Sequence, residues 1–132
     1  MQFDIDVYNL LKGLTAMKIN EIVELLSAKI LCGEDMLDTE VHSACGCDMM
    51  SDVLAFVKDQ AVLLTGLCNL QVIRTAEMMD MRGVVFVRGK QPTEEIIEMA
   101  KECGIAVLTS DLRMYIACGL LYANGLQGGS VA

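Results

Sequence analysis

The chain has no tryptophan, one proline, one histidine and six aromatic residues, three Tyr and three Phe. With a single proline and an apolar content of 54% in 132 residues, long disordered linkers are excluded and a compact aliphatic domain is expected. A domain of this size buries roughly two-thirds of its unfolded surface, enough to need no disulfide or metal for its core. His42 stands alone, so no second imidazole completes an acid–base or metal pair. No apolar run approaches the roughly 18 residues of a membrane span. The first residues lack the basic and apolar regions of a signal peptide, so a cytoplasmic location is expected. Basic residues are also few: 10 Lys and Arg against 18 Asp and Glu leave a net charge of −8. Such a surface repels phosphate backbones and anionic membranes, so neither nucleic acid nor membrane is an expected partner. Three catalytic signatures are missing as well. There is no G-x-x-x-x-G-K-[ST] phosphate grip, no G-x-G-x-x-G after a strand and no G-x-S-x-G nucleophile elbow.

What is present is a unit that recurs through the second half: apolar strand, short polar turn, amphipathic helix. The strands are Ala61-Val62-Leu63-Leu64, Val84-Val85-Phe86-Val87 and Ile105-Ala106-Val107-Leu108, starting 23 and then 21 residues apart. Near-continuous apolar strands at this spacing predict an α/β fold, a mostly parallel sheet with helices on both faces. Lys29-Ile30-Leu31-Cys32 and Glu40-Val41-His42-Ser43-Ala44-Cys45 are two further candidate strands. Predicted helices open at Asn20, at Asp48 or Ser51, at Leu70, after Pro92-Thr93-Glu94-Glu95, and at Ser110 or Asp111. In the fourth, Ile96, Ala100 and Cys103 face inward and Gly104 ends the helix. In the last, Leu112, Tyr115, Ile116 and Gly119 are read as the inward stripe, with Gly125 as the stop. Residues 1–16 mix a strand-like alternation with a helical stripe and are read as an appendage to a domain spanning 17–126, with 127–132 a frayed tail.

Right-handed crossovers place every strand-to-helix loop of such a sheet on one edge. Thr65-Gly66, Arg88-Gly89 and Thr109-Ser110-Asp111 are therefore gathered in space, and Asn69 is a further candidate ligand residue. Helix N-terminal amides, the three hydroxyls and the Arg88 guanidinium then form a candidate cradle for a small anion. The alternative reading of the same residues is ordinary helix capping. A second constellation is Asp48-Met49-Met50-Ser51-Asp52, a further candidate ligand site, whose two acids four residues apart could share a helix face and bind a cation or act as acid and base; decoration of a helix N-terminus is the plainer reading. Six cysteines without an export signal read as reduced thiols. Cys45-Gly46-Cys47 is a weak candidate metal or cluster site, since C-x-C alone is unspecific and no C-x-x-C pair exists. The ten methionines are better explained as core or interface filling than as a promiscuous binding surface.

Several stretches resemble the DRTGG domain family. Met17-Lys18-Ile19-Asn20-Glu21-Ile22-Val23 is similar to its opening helix. Leu31-Cys32-Gly33-Glu34-Asp35 with Leu37-Asp38-Thr39-Glu40-Val41 is similar to its G-E-x-x-L-D-x-x-V stretch. Gly104-Ile105-Ala106-Val107-Leu108-Thr109-Ser110-Asp111 through Tyr115 resembles its closing strand and turn. Cys47-Asp48-Met49-Met50-Ser51-Asp52-Val53-Leu54-Ala55 resembles a segment of small stand-alone members encoded beside iron-hydrogenase genes. The resemblance covers about residues 17–126 and implies a sandwich like the N-terminal domain of HPr kinase/phosphorylase. It also implies a regulatory or dimerising role without chemistry of its own, since the kinase domain is lacking. The family's own signature is altered here: Gly66-Leu67-Cys68-Asn69 stands where many members have Gly-Asp-Arg, and Val87-Arg88-Gly89 where they have Thr-Gly-Gly.

These readings combine into an expected function. The chain is a non-catalytic regulatory or accessory domain, acting as a homodimer and sensing a small anionic ligand such as a nucleotide, with a protein partner also compatible. The alternative is an accessory protein of redox or hydrogenase metabolism that handles metal or clusters through its cysteines. An enzyme built on Asp48, Ser51 and Asp52 comes last, and no cofactor is identified.

Overall fold

The computed structural model describes residues 16–56 and 60–129. The readings of the N-terminal appendage, of Val57 and of the last three residues of the tail fall outside them. Among the described residues the order is β1 (Met17–Lys18), α1 (Ile19–Leu25), β2 (Lys29–Cys32), a 3-10 turn (Glu34–Met36), β3 (Glu40–Val41), β4 (Ser43–Gly46) and α2 (Met50–Phe56). Then follow β5 (Ala61–Thr65), α3 (Leu70–Met78), β6 (Gly83–Phe86), α4 (Glu94–Cys103), β7 (Ala106–Thr109) and α5 (Met114–Ala123). No helix among the described residues is long and apolar enough to cross a membrane.

The main sheet has the order β2-β7-β6-β5-β4, with β4 to β7 parallel and β2 antiparallel to β7. The parallel strands run in simple sequence, so right-handed crossovers put α2, α3 and α4 on the same face. The strand residues show this alternation. Leu63, Val84, Phe86 and Val107 pack with Val53, Val72, Ile73, Ile96 and Ala100 of those three helices. Val62, Leu64, Val85, Ala106 and Leu108 face the other way, against Ile19, Ile22, Ala117 and Leu121 of α1 and α5. Every residue of β5, β6 and β7 is buried. This is the α/β sandwich with helices on both faces that the apolar runs predict.

Local chemistry places most ends. Thr93 caps α4 by accepting the Ile96 amide, and Gly104 closes it in the left-handed conformation (φ 70°). The Asn69 side chain accepts the Val72 amide and starts α3. Gly33, at φ 89°, lies so near β7 that a Cβ there would stand 2.7 Å from the Ala106 Cα.

Three expectations change. Asn20 is not a cap, because α1 opens one residue earlier; the amides of Ile19 and Asn20 are taken instead by the carbonyls of Thr39 and Leu37. The candidate strand 40–45 divides at His42, whose amide donates to Gln60. β3 pairs with β1 in a small antiparallel ribbon and β4 joins the main sheet.

The last helix begins at Met114, not at Ser110 or Asp111. The Ser110 hydroxyl donates to the Leu26 carbonyl at 2.8 Å, and the Leu112 carbonyl accepts the Arg88 amide at 2.8 Å, so residues 110–112 are held as loop. The helix face rotates accordingly. Ala117 and Leu121 are buried, Tyr115 and Ile116 are 87% and 49% exposed, and Gly119 is exposed as well.

Ser110 is 2% exposed, and its hydroxyl joins the end of β7 to the end of α1, 84 residues away in sequence. Ser110→Ala leaves the Leu26 carbonyl and the Leu112 amide short of a partner. It should lower stability by about 1–3 kcal/mol, read as a drop in the urea midpoint at unchanged m-value.

Candidate functional site

The carboxyl ends of the parallel strands lead into loops on one edge, and those loops carry most of the polar residues singled out in the sequence. β5 ends in Thr65 and is followed by Gly66, Arg88 and Gly89 lie beyond β6, and Ser110 and Asp111 follow β7. Since β4 is parallel to β5, Asp48 arrives at the same edge. Its carboxylate Oδ1 accepts the Gly66 amide at 2.7 Å and the Thr65 hydroxyl at 3.0 Å. Its other oxygen stands 3.9 Å from the Arg88 guanidinium. The two constellations of the sequence thus become one site. The second loses its paired acids, because Asp48 precedes α2 and turns back to β5, whereas Ser51 and Asp52 lie exposed on the first turn of the helix.

Arg88 is the residue the backbone works hardest to place. It and Gly89 both adopt positive φ, 61° and 68°, in a tight turn closed by the Lys90 amide donating to the Val87 carbonyl. Two further backbone bonds, Arg88 N–H to Leu112 and Gly89 N–H to Ser110, fasten this turn to the next loop, and the Thr109 hydroxyl donates to the Lys90 carbonyl at 2.7 Å. A non-glycine residue in the left-handed region costs roughly 1 kcal/mol. The clamp holds Arg88 there with its guanidinium lying over Gly66, where any Cβ would collide with it. Arg88 is still half exposed, and Asp111 approaches Gly89 from the far side.

The cradle expected from loop amides and hydroxyls is largely spent on the fold. Gly66 N–H serves Asp48, and Leu67 N–H serves the Thr65 hydroxyl. Thr109 and Ser110 bond to backbone, and Asn69 caps α3. Among the predicted residues, Arg88 is the cation that faces solvent. The Gly66 amide is the main cause that holds the Asp48 carboxyl below the usual carboxylate range, with the Thr65 hydroxyl and Arg88 acting in the same direction.

The cysteines are distributed on both sides of the sheet. Cys45 and Cys47 pack toward the α2–α4 side, while Cys118 and Met114 cover Gly46 from the other. Among the described residues no three His, Cys, Asp or Glu side chains come together as a metal site. Burial pushes the Cys45 thiol up to about 11, with Cys47 and Cys118 adding to the shift, and burial raises Cys32, Cys68 and Cys118 too. Thiols held protonated are poor nucleophiles and poor metal ligands.

Comparison with known proteins agrees with this architecture. A family model described as the DRTGG domain matches residues 21–121. A solved structure of the CBS and DRTGG domains of the regulatory region of Clostridium perfringens pyrophosphatase, complexed with the activator diadenosine tetraphosphate, is similar to this chain. The TM-score is 0.70 at 17% identity, covering 99% of this chain and 57% of that one. The chain thus spans little more than half of the structure it resembles. No curated protein matches it.

The Asp48 bonds carry a pH signature. A carboxyl whose folded pKa is depressed contributes stability that is complete above its unfolded value, about 4, and is lost as pH falls through the lower folded value. The gap in urea midpoint between the wild type and Asp48→Asn should therefore be constant near neutrality and shrink in acid. A gap that widens as pH falls would refute the assignment.

Proposed function

The chain belongs to the DRTGG domain family, and we propose that it works as a non-catalytic regulatory or accessory domain. In this reading it senses a small anionic ligand, such as a nucleotide, at the carboxyl edge of its sheet, and it acts as a cytoplasmic homodimer. The observation that carries the reading is Arg88: a strained, four-way-clamped turn holds its half-exposed guanidinium over Gly66 and beside the second oxygen of Asp48. Ser27 and Asp80 also adopt positive φ, each just past the end of a helix, whereas Arg88 does so on the carboxyl rim, between β6 and α4.

The guanidinium offers paired donors that match phosphate oxygens, and its 3.9 Å contact with Asp48 is loose enough for a phosphate to compete. The Asp48 oxygen that faces Arg88 can accept a hydrogen bond from a sugar hydroxyl while the other holds the β5 loop in place. The neighbour supports the same class of ligand, for the similar pyrophosphatase region was crystallised with a nucleotide activator. A regulatory role without turnover is consistent with thiols kept protonated by burial and with a site carboxylate already engaged by two donors.

Calorimetric titration with ATP and with diadenosine tetraphosphate tests the reading. Wild type should bind either one with an affinity that falls as salt rises. Arg88→Ala should weaken binding at least tenfold, a loss of about 1.4 kcal/mol. Arg88→Gly should lose the ligand equally while folding at least as stably, because the left-handed turn is then unstrained. Equal binding by wild type and both variants would refute the site.

A further inference from the structure

We infer that the outer face of α5, together with the groove between this helix and β4, is the surface through which two copies of the chain pair about a two-fold axis. The inference rests on the homodimer in the reading above and names its interface. α5 lies over β4 and β5 at one side of the sheet, and only Ala117 and Leu121 are fully buried beneath it. The opposite face carries Tyr115, Ile116 and Tyr122, exposed by 87%, 49% and 65%. With Ala44, Gly46 and Leu126 they line a groove of about 550 Å³, so their exposed rings and side chains rise from its walls. Protrusion and depression therefore sit on the same patch, as a two-fold contact requires when each copy supplies both partners of every contact.

Charge selects a second copy as the occupant. The chain carries a net charge of −8, yet from Met114 to its last residue it has no Asp, Glu, Lys or Arg. Two such molecules repel across any acidic face, and in a two-fold contact each charge near the axis meets its own kind. The uncharged face avoids that cost, and its tyrosines supply large contact area with few rotamers to freeze. A basic partner would be drawn to the acidic surface instead, and an anionic membrane would be repelled by it. The apolar character of α5 on all sides follows: one side covers the sheet, and the other covers the partner.

The test is light scattering on the full-length chain after gel filtration. Wild type should give twice the mass of one chain. Ile116→Asp should give half the wild-type mass, and so should Tyr115→Lys, an 87% exposed position where folding is not at stake. Met78→Asp, at a 73% exposed apolar position on α3, should stay a dimer, and circular dichroism should show all three folded. A monomeric wild type would overturn the homodimer itself and leave the face to another occupant. A wild-type dimer that survives both α5 substitutions would overturn only the choice of face. Nucleotide binding at Arg88 is read separately and is untouched by either result.

Discussion

Every residue of β5, β6 and β7 is buried, so this sheet has no side that can meet water. Much of the architecture answers that constraint. The sequential strand order places α2, α3 and α4 on one face and leaves the other bare. Only the helices before and after the run of parallel strands remain to cover it, and α1 and α5 do so with Ile19, Ile22, Ala117 and Leu121. The buried Ser110–Leu26 bond joins these two contributions where β7 gives way to the last helix. Burial on both faces thus decides the strands, the layering and the position of the chain's two outer helices.

The same arithmetic explains the character of the edge where the strands end. A fully apolar sheet can carry polar groups only at its rims, and the carboxyl rim receives one loop from each parallel strand. Most polar atoms there bond to one another, which stiffens the rim: Asp48 ties the β4 loop to β5, and the 87–90 turn is tied to residues 110–112. Arg88 is the exception. Its backbone is fastened and half of its side chain stays exposed beside Asp48, an arrangement that trades local strain for a positioned charge.

The repeated strand–turn–helix units were legible because period and punctuation agreed. Apolar runs of four residues, the Thr93 cap and the Gly104 stop all point to the same elements. What the residues did not reveal lies where local signals are symmetric or non-local. α5 is apolar all round, so its periodicity cannot choose a buried face; that choice comes from a hydroxyl bonded 84 residues away. His42 marks a change of sheet that no pattern announces, and its neighbours look like one strand until the pairing is known. Asp48 looked like half of an acid pair on a helix. Its true neighbours, Thr65 and Gly66, become visible only once β4 is known to lie beside β5 in parallel. Sequence put Arg88 on the carboxyl rim, but its positive φ, its place over Gly66 and its contact with Asp48 appear only in the fold.

The two rims parallel to the strands tell a different story. β2, at one side, is interrupted by an extra residue between Ile30 and Cys32, so its outer edge cannot present an even ladder of amides. β4, at the other, is four residues long, and its Ala44 amide is already occupied by the Gln127 carbonyl of the C-terminal segment. An interrupted edge and a short, occupied one are poor templates for a further strand. An all-aliphatic parallel sheet is otherwise well suited to open-ended stacking of molecules into fibres. With both ends of the ladder blunted, edge-to-edge growth of this sheet from molecule to molecule is disfavoured.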